Sequence, residues 1–140
     1  MKLLLLVVLA IVLCGCAGAH CRVVARNTSH PISFTACVLN STGGVHKATT
    51  NEVMNHFRMT RKNWSMFWAS VPLNATEWDL APELEGKLKE SSGNAVVNLT
   101  VRATGPDVLH RYFAALIPFV PTYVNVSTEG DIACIQDVKP

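Results

Sequence analysis

No apolar stretch of this chain is long enough to cross a bilayer: the run from Leu3 to Leu13 holds 11 residues, against about 17 to 25 for a spanning helix. Charge of one sign is just as scarce. A formal +2 over 140 residues, with no concentrated run of Lys and Arg, argues against nucleic acid as a partner. Arg58, Arg61 and Lys62 form the densest basic group and read as a solvated turn. The sequence has no Gly-x-Ser-x-Gly, phosphate loop, Cys-x-x-Cys or paired catalytic carboxylates. Its five histidines, His20, His30, His46, His56 and His110, stand at no metal-ligand spacing; only His20 adjoins a cysteine, and sequence neighbours rarely share one ion. No catalytic residue, metal or cofactor is expected, and the chain does not read as an enzyme.

What is there begins at the amino terminus. Lys2, the apolar run and a small-residue exit are the three parts of an export signal. Leu13-Cys14-Gly15-Cys16 looks like the lipobox at which bacterial lipoprotein signals are cut. On that basis 1–15 is the signal peptide and Cys16 the first mature residue, bearing lipid such as palmitate. Each buried CH₂ contributes about 0.8 kcal/mol, and stable anchoring needs two chains or a chain plus a second signal; a diacylated, amino-acylated cysteine exceeds that. Ala17, rather than Asp, after the cysteine resembles the sorting signal for the outer membrane. The expected partners are membrane lipid, through Cys16, and an envelope protein.

A second processing site competes with the first. Ala17-Gly18-Ala19 suits ordinary signal peptidase and would release a soluble protein from His20. Six of the nine asparagines, Asn27, Asn40, Asn63, Asn74, Asn98 and Asn125, lie in Asn-x-Ser/Thr sequons, against roughly one by chance. That excess favours a secreted eukaryotic or viral glycoprotein. Asn, Ser and Thr also crowd together in turns without selection for sugar. None of the six has an acidic residue two positions before it, as bacterial N-glycosylation generally requires.

With Cys14 cleaved away and Cys16 acylated, the mature chain keeps Cys21, Cys37 and Cys134, an odd set that leaves one thiol unpaired. The preferred bond is Cys37 with Cys134, closing a long loop worth about 3 to 5 kcal/mol by chain entropy. Phase counts against it: Cys134 is in register with Val124, Val126 and Ile132, whereas Cys37 is out of register with Ile32, Phe34, Ala36 and Val38.

Removing 15 residues from 140 leaves 125, enough for one domain with a real core. Residues 16–29 are small and polar and suit a tether; the domain spans 30–136. Period-two alternation predicts strands over Ile32–Val38, Val53–Thr60, Trp64–Val71, Ala95–Thr104 and Tyr123–Ile135, with a turn at Arg61–Asn63 and a bulge near Gly130. In the fourth strand Val97, Leu99, Val101 and Ala103 face inward. Leu80, Leu84 and Leu88 predict a helix opening on Asp79. A second helix follows Gly105-Pro106-Asp107, with Val108, Leu109, Tyr112, Phe113 and Leu116 on one face and His110 and Arg111 opposite. The class is α+β: an antiparallel sheet of about five strands packed by one or two helices.

In order along the chain, His56-Phe57, Trp64, Met66-Phe67-Trp68, Val71-Pro72-Leu73-Asn74, the first helix and Asn98-Leu-Thr-Val-Arg are similar to a group of small bacterial envelope lipoproteins. The second half, ending in Val126-Ser127-Thr128-Glu129-Gly130-Asp131, is Bor-like. The resemblance covers Val53 to Ile135 and implies an envelope address, with no established reaction. It departs at Ala69 or Ser70, where relatives commonly carry Gly, and at Pro118 and Pro121, which bracket a hairpin that is richer in Gly elsewhere. Asn74 belongs to the shared Pro-Leu-Asn pattern and needs no sugar to explain it.

Within Val108–Val120, Val108 and Tyr112 are expected in the core, covering the sheet. Phe113, Leu116, Ile117, Phe119 and Val120 are candidates for membrane or partner contact, since the segment is apolar enough to lie on a bilayer. Trp64 and Trp68 are expected to fill a core from one strand face.

Overall fold

A computed structural model describes residues 21–136 and Val138; the signal peptide and the lipidation candidate Cys16 lie outside them. The elements run β1 (Arg22–Val24), β2 (Cys37–Leu39), β3 (Val45–Lys47), β4 (Val53–Met66), β5 (Val71–Pro72), β6 (Glu77–Asp79), α1 (Ala81–Ser91), β7 (Ala95–Thr104), α2 (Val108–Leu116) and β8 (Thr122–Ala133). An α+β protein with an antiparallel four-stranded sheet, in the order β5-β4-β8-β7, is the result. Strands β1 with β6 and β2 with β3 form two further pairs, in place of one sheet of about five strands. Val38 stands opposite His46 in the β2–β3 register, and Met66 opposite Val71 in β4–β5.

Where the sequence suggests one domain over 30–136, packing divides the chain into two compact units. The first, here the α1 unit, takes in 23–60, 77–102 and the chain from Ser127. Its helix behaves as its leucine spacing requires, with Leu80, Leu84 and Leu88 all at 2% exposure or less. Asp79 acts one position earlier than expected: Leu80 is the cap residue, and the Asp79 carboxylate accepts the N–H of Ala81 at 3.0 Å. Pro82 sits in the first turn, where its missing N–H has no partner to lose. Ser92 ends the helix in the left-handed conformation.

In the same unit Ala95, Val96 and Val97 are buried without exposure. Val38, Ala95, Val97, Ala133 and Ile135 form one apolar cluster. Trp78, which the spacing analysis does not single out, is also buried, with its indole N–H donating to Glu83 Oε1 at 3.0 Å. Glu83 itself stays exposed.

Several expected elements shift. Residues 31–35 form no long strand; Ile32 makes an isolated parallel bridge to Val96, and backbone bonds link Pro31, Ser33 and Thr35 to β7. Phe34 consequently faces solvent. Part of the proposed tether is folded in: β1 pairs with β6, and the Ser29 hydroxyl donates to Glu85 at 2.8 Å. Val101 and Ala103 are exposed rather than inward. Strand β8 runs unbroken through Gly130. There a Cβ would come within 3.0 Å of the Phe57 ring and 3.3 Å of the Val97 carbonyl, so the glycine serves close packing, not a bulge.

All three described thiols, Cys21, Cys37 and Cys134, are free, so the Cys37–Cys134 bond is not formed. The phase argument holds for Cys37 but not for Cys134, which is exposed although Ile132 two residues before it is buried. Val38 and Ala133 take the places in the shared core, which turns their sequence neighbours Cys37 and Cys134 away from it.

The second unit, the α2 unit, comprises 61–76 and 103–126 with Cys21 and Arg22. Arg61 to Asn63 is not a turn; β4 continues as one strand to Met66, its odd positions Asn63 and Ser65 buried. The polar composition there conceals an alternation that persists. The turn comes at 67–70, where Phe67, Trp68 and Ala69 all have left-handed φ (51°, 56° and 67°). Trp64 and Trp68 therefore do not share a strand face.

Gly86 faces open space, with nothing within 4 Å of an added Cβ. Gly86→Ala should raise unfolding free energy by about 1 kcal/mol, while Gly130→Ala should lower it by about 1 to 3 kcal/mol through overpacking. Urea titrations of the two variants check both signs.

Candidate functional site

The described residues that stand out are the apolar ones of α2. Asp107 caps the helix, its carboxylate accepting the His110 N–H at 2.7 Å. His110 and Arg111 then turn back onto the chain: Arg111 Nε donates to the Pro106 carbonyl at 2.7 Å, and His110 Nε2 donates to the Pro121 carbonyl at 2.7 Å. That carbonyl requires the proton on Nε2. Ala114, on the same side of the helix as His110, is the buried residue of α2.

The apolar face consequently points outward. Val108 is 81% exposed, Leu116 61% and Phe119 64%, with Leu109, Tyr112 and Phe113 also exposed. Val108 and Tyr112 are thus not core residues, contrary to the expectation for them. Of the five contact candidates, Phe113, Leu116, Ile117 and Phe119 are exposed and Val120 is half-buried. Helical spacing identifies the apolar face, but not which way it looks.

The left-handed turn is fastened to the carboxyl end of this helix. Phe67 N–H donates to the Pro118 carbonyl at 2.9 Å. Trp68 Nε1–H donates to the Ala115 carbonyl at 3.1 Å, one of the terminal carbonyls that α2 cannot satisfy internally. The Phe67 and Phe119 rings meet edge to face at 5.2 Å. These contacts hold three residues in a conformation that costs L-residues roughly 1 to 2 kcal/mol each.

Beside the helix, His110, Tyr123 and Trp64 meet in series, edge to face at 5.4 Å and tilted at 4.9 Å between centroids. Lys62 Nζ stands 4.6 Å from the Tyr123 ring centre and 5.6 Å from that of Trp64, both within cation–π range. Lys62, read from sequence as part of a solvated turn, and Trp64, expected in a core, both belong to this surface. Their signal lay in the alternation through Arg61–Asn63, which places Lys62 and Trp64 together on the outer face. A small cleft nearby, about 50 Å³, is lined by Asn63, Ser65, Ser70, Pro72 and Asn74 among others and has room for a few waters.

The sequon asparagines are largely engaged within the fold. Asn63 is only 4% exposed. The Asn74 amide spans β4, accepting from Trp64 N–H at 2.9 Å and donating to the Lys62 carbonyl at 3.0 Å. Asn98 donates to Asp131 at 2.8 Å, and Asn40 Oδ1 accepts from the Thr42 hydroxyl and the Gly44 N–H.

Two histidine–carboxylate pairs act as ties. His46 Nε2 lies 3.0 Å from Glu52 Oε1, and His56 Nδ1 lies 2.8 Å from Asp131 Oδ1. Asp131 on β8 thus joins β4 to β7 through His56 and Asn98. Burial raises its pKa, but the hydrogen bonds from Asn98 and His56 and the His56 charge outweigh that and leave it lowered. Among the described residues no group of three His, Cys, Asp or Glu is placed to hold a metal. Nor is any helix among them long and apolar enough to cross a membrane. No family model, curated protein or solved structure matches the chain.

Glu52 is held down to about 2, against an ordinary 4.5, first by the Thr49 N–H, then by the Thr49 hydroxyl and His46. A lowered folded-state pKa gives stability that is present above about 4.5 and lost as pH falls toward about 2. Asp131 adds to the loss in the same direction. Unfolding free energy measured from pH 6 to pH 2 should therefore fall less for Glu52→Gln than for the natural protein. Equal slopes would remove Glu52 from the acid limb.

Proposed function

We propose that this chain is a lipid-anchored lipoprotein of the bacterial envelope, held at the outer membrane through acylated Cys16, with a structural or binding role and no catalysis of its own. The observation that carries this reading is the Leu13-Cys14-Gly15-Cys16 exit from an apolar run. The fold adds support, because β1 begins at Arg22. Only four residues separate Cys16 from Cys21, a reach of at most about 18 Å. An acyl chain on Cys16 would thus hold the α2 unit, to which Cys21 belongs, close to the bilayer.

The ordered resemblance to small envelope lipoproteins, Bor-like in its second half, agrees with this reading. The competing reading, a glycoprotein secreted from His20, draws on the sequons. Asn63 is too buried to carry a sugar, and the amide nitrogens of Asn74 and Asn98 already donate within the fold. Their Asn-x-Ser/Thr pattern has a structural explanation in turns and strand ties.

Intact mass spectrometry of the natural mature protein separates the two. The expected product begins at Cys16 and carries acyl mass. A product beginning at His20 with hexose ladders on asparagine would overturn the anchor.

A further inference from the structure

We propose that the outer face of α2, together with the Phe67–Ser70 turn, seats the α2 unit on an anionic lipid surface. The anchor reading tells only where the bilayer lies; the seat itself is argued from the fold. A nine-residue helix whose His110 and Arg111 bond the carbonyls of the flanking prolines, with Val108 and Leu116 exposed on it and Phe119 exposed just beyond it, is the reverse of one that covers a core. An apolar helix face beside polar and basic residues lies in the interfacial plane of a membrane.

Charge selects the surface. The described α2 unit carries Arg22, Arg61, Lys62 and Arg111 against a single acid, Asp107, and Asp107 is spent on capping the helix. The excess is three positive charges, in a chain whose total is only +2. Each basic residue near an anionic leaflet strengthens binding roughly fivefold. The tilted Trp64–Tyr123 pair under Lys62 supplies the aromatic residues that favour the membrane–water boundary, and the Lys62 stem can extend its ammonium toward phosphates.

A second copy of this chain would meet the same positive charge and be repelled, whereas lipid phosphates would be attracted. The chain's own path agrees. Cys21 and Arg22 lie in this unit, five and six positions after the expected lipid attachment.

Hydrogen–deuterium exchange on the natural protein tests the seat, in nanodiscs of phosphatidylcholine with and without phosphatidylglycerol. Amides of 108–120 should exchange on the order of tenfold more slowly in the anionic discs, and salt near 1 M should abolish the difference, where screening acts within about 3 Å. Lys62→Glu, and separately Leu116→Ser with Phe119→Ser, should also abolish it, while exchange in α1 confirms that the fold is kept. Equal exchange in both discs would overturn the inference and leave the anchor standing. Slowing that follows protein concentration without lipid would overturn it in favour of self-association. If the natural protein carries no acyl chain, yet added phosphatidylglycerol vesicles still slow 108–120, the seat stands and the anchor falls.

Discussion

Three successive residues with no solvent exposure, Ala95, Val96 and Val97, set the terms for the α1 unit. A strand buried on both faces must be covered on both, and its edges must find hydrogen-bond partners, because an unpaired buried backbone group costs as much as a lost hydrogen bond. Residues 31–35 supply one edge through their bonds to β7, and β8 supplies the other. The leucine stripe of α1 is buried in the same unit, each leucine contributing about 1.5 to 3 kcal/mol. This requirement explains why a segment rich in Ser and Thr is hydrogen-bonded beside β7 without becoming a regular strand.

Much of that unit is legible in the sequence. Leu80, Leu84 and Leu88 identify both a helix and its buried side, and the inward setting of Val97 and Leu99 follows from alternation. The α2 unit reads less well, for two physical reasons. Alternation in β4 continues through Arg61, Asn63 and Ser65, polar residues that hide a period usually recognised by its apolar members. In α2 the spacing shows which residues share an apolar face, but not whether core or solvent receives that face. The direction is decided by the carbonyls of Pro106 and Pro121, which accept from Arg111 and His110, and by the small Ala114 beneath.

Polar side chains elsewhere serve as ties between strands. Asn74, Asn98 and Asp131 each bridge segments distant in sequence, and their hydrogen bonds account for patterns that invite a chemical reading. A sequon or a histidine–carboxylate pair is a statement about residue types; its use depends on what the amide or ring already holds. Here they hold the backbone and one another.

Strands β7 and β8 are neighbours in the sheet, and α2 connects them. A connection between adjacent antiparallel strands leaves and re-enters the sheet about 4.8 Å apart, the gap a two-residue hairpin closes. The helix is therefore an insert in an ordinary hairpin, so its length and outward residues can vary without altering strand register. The sheet fixes where this surface stands, and leaves its chemistry free to change.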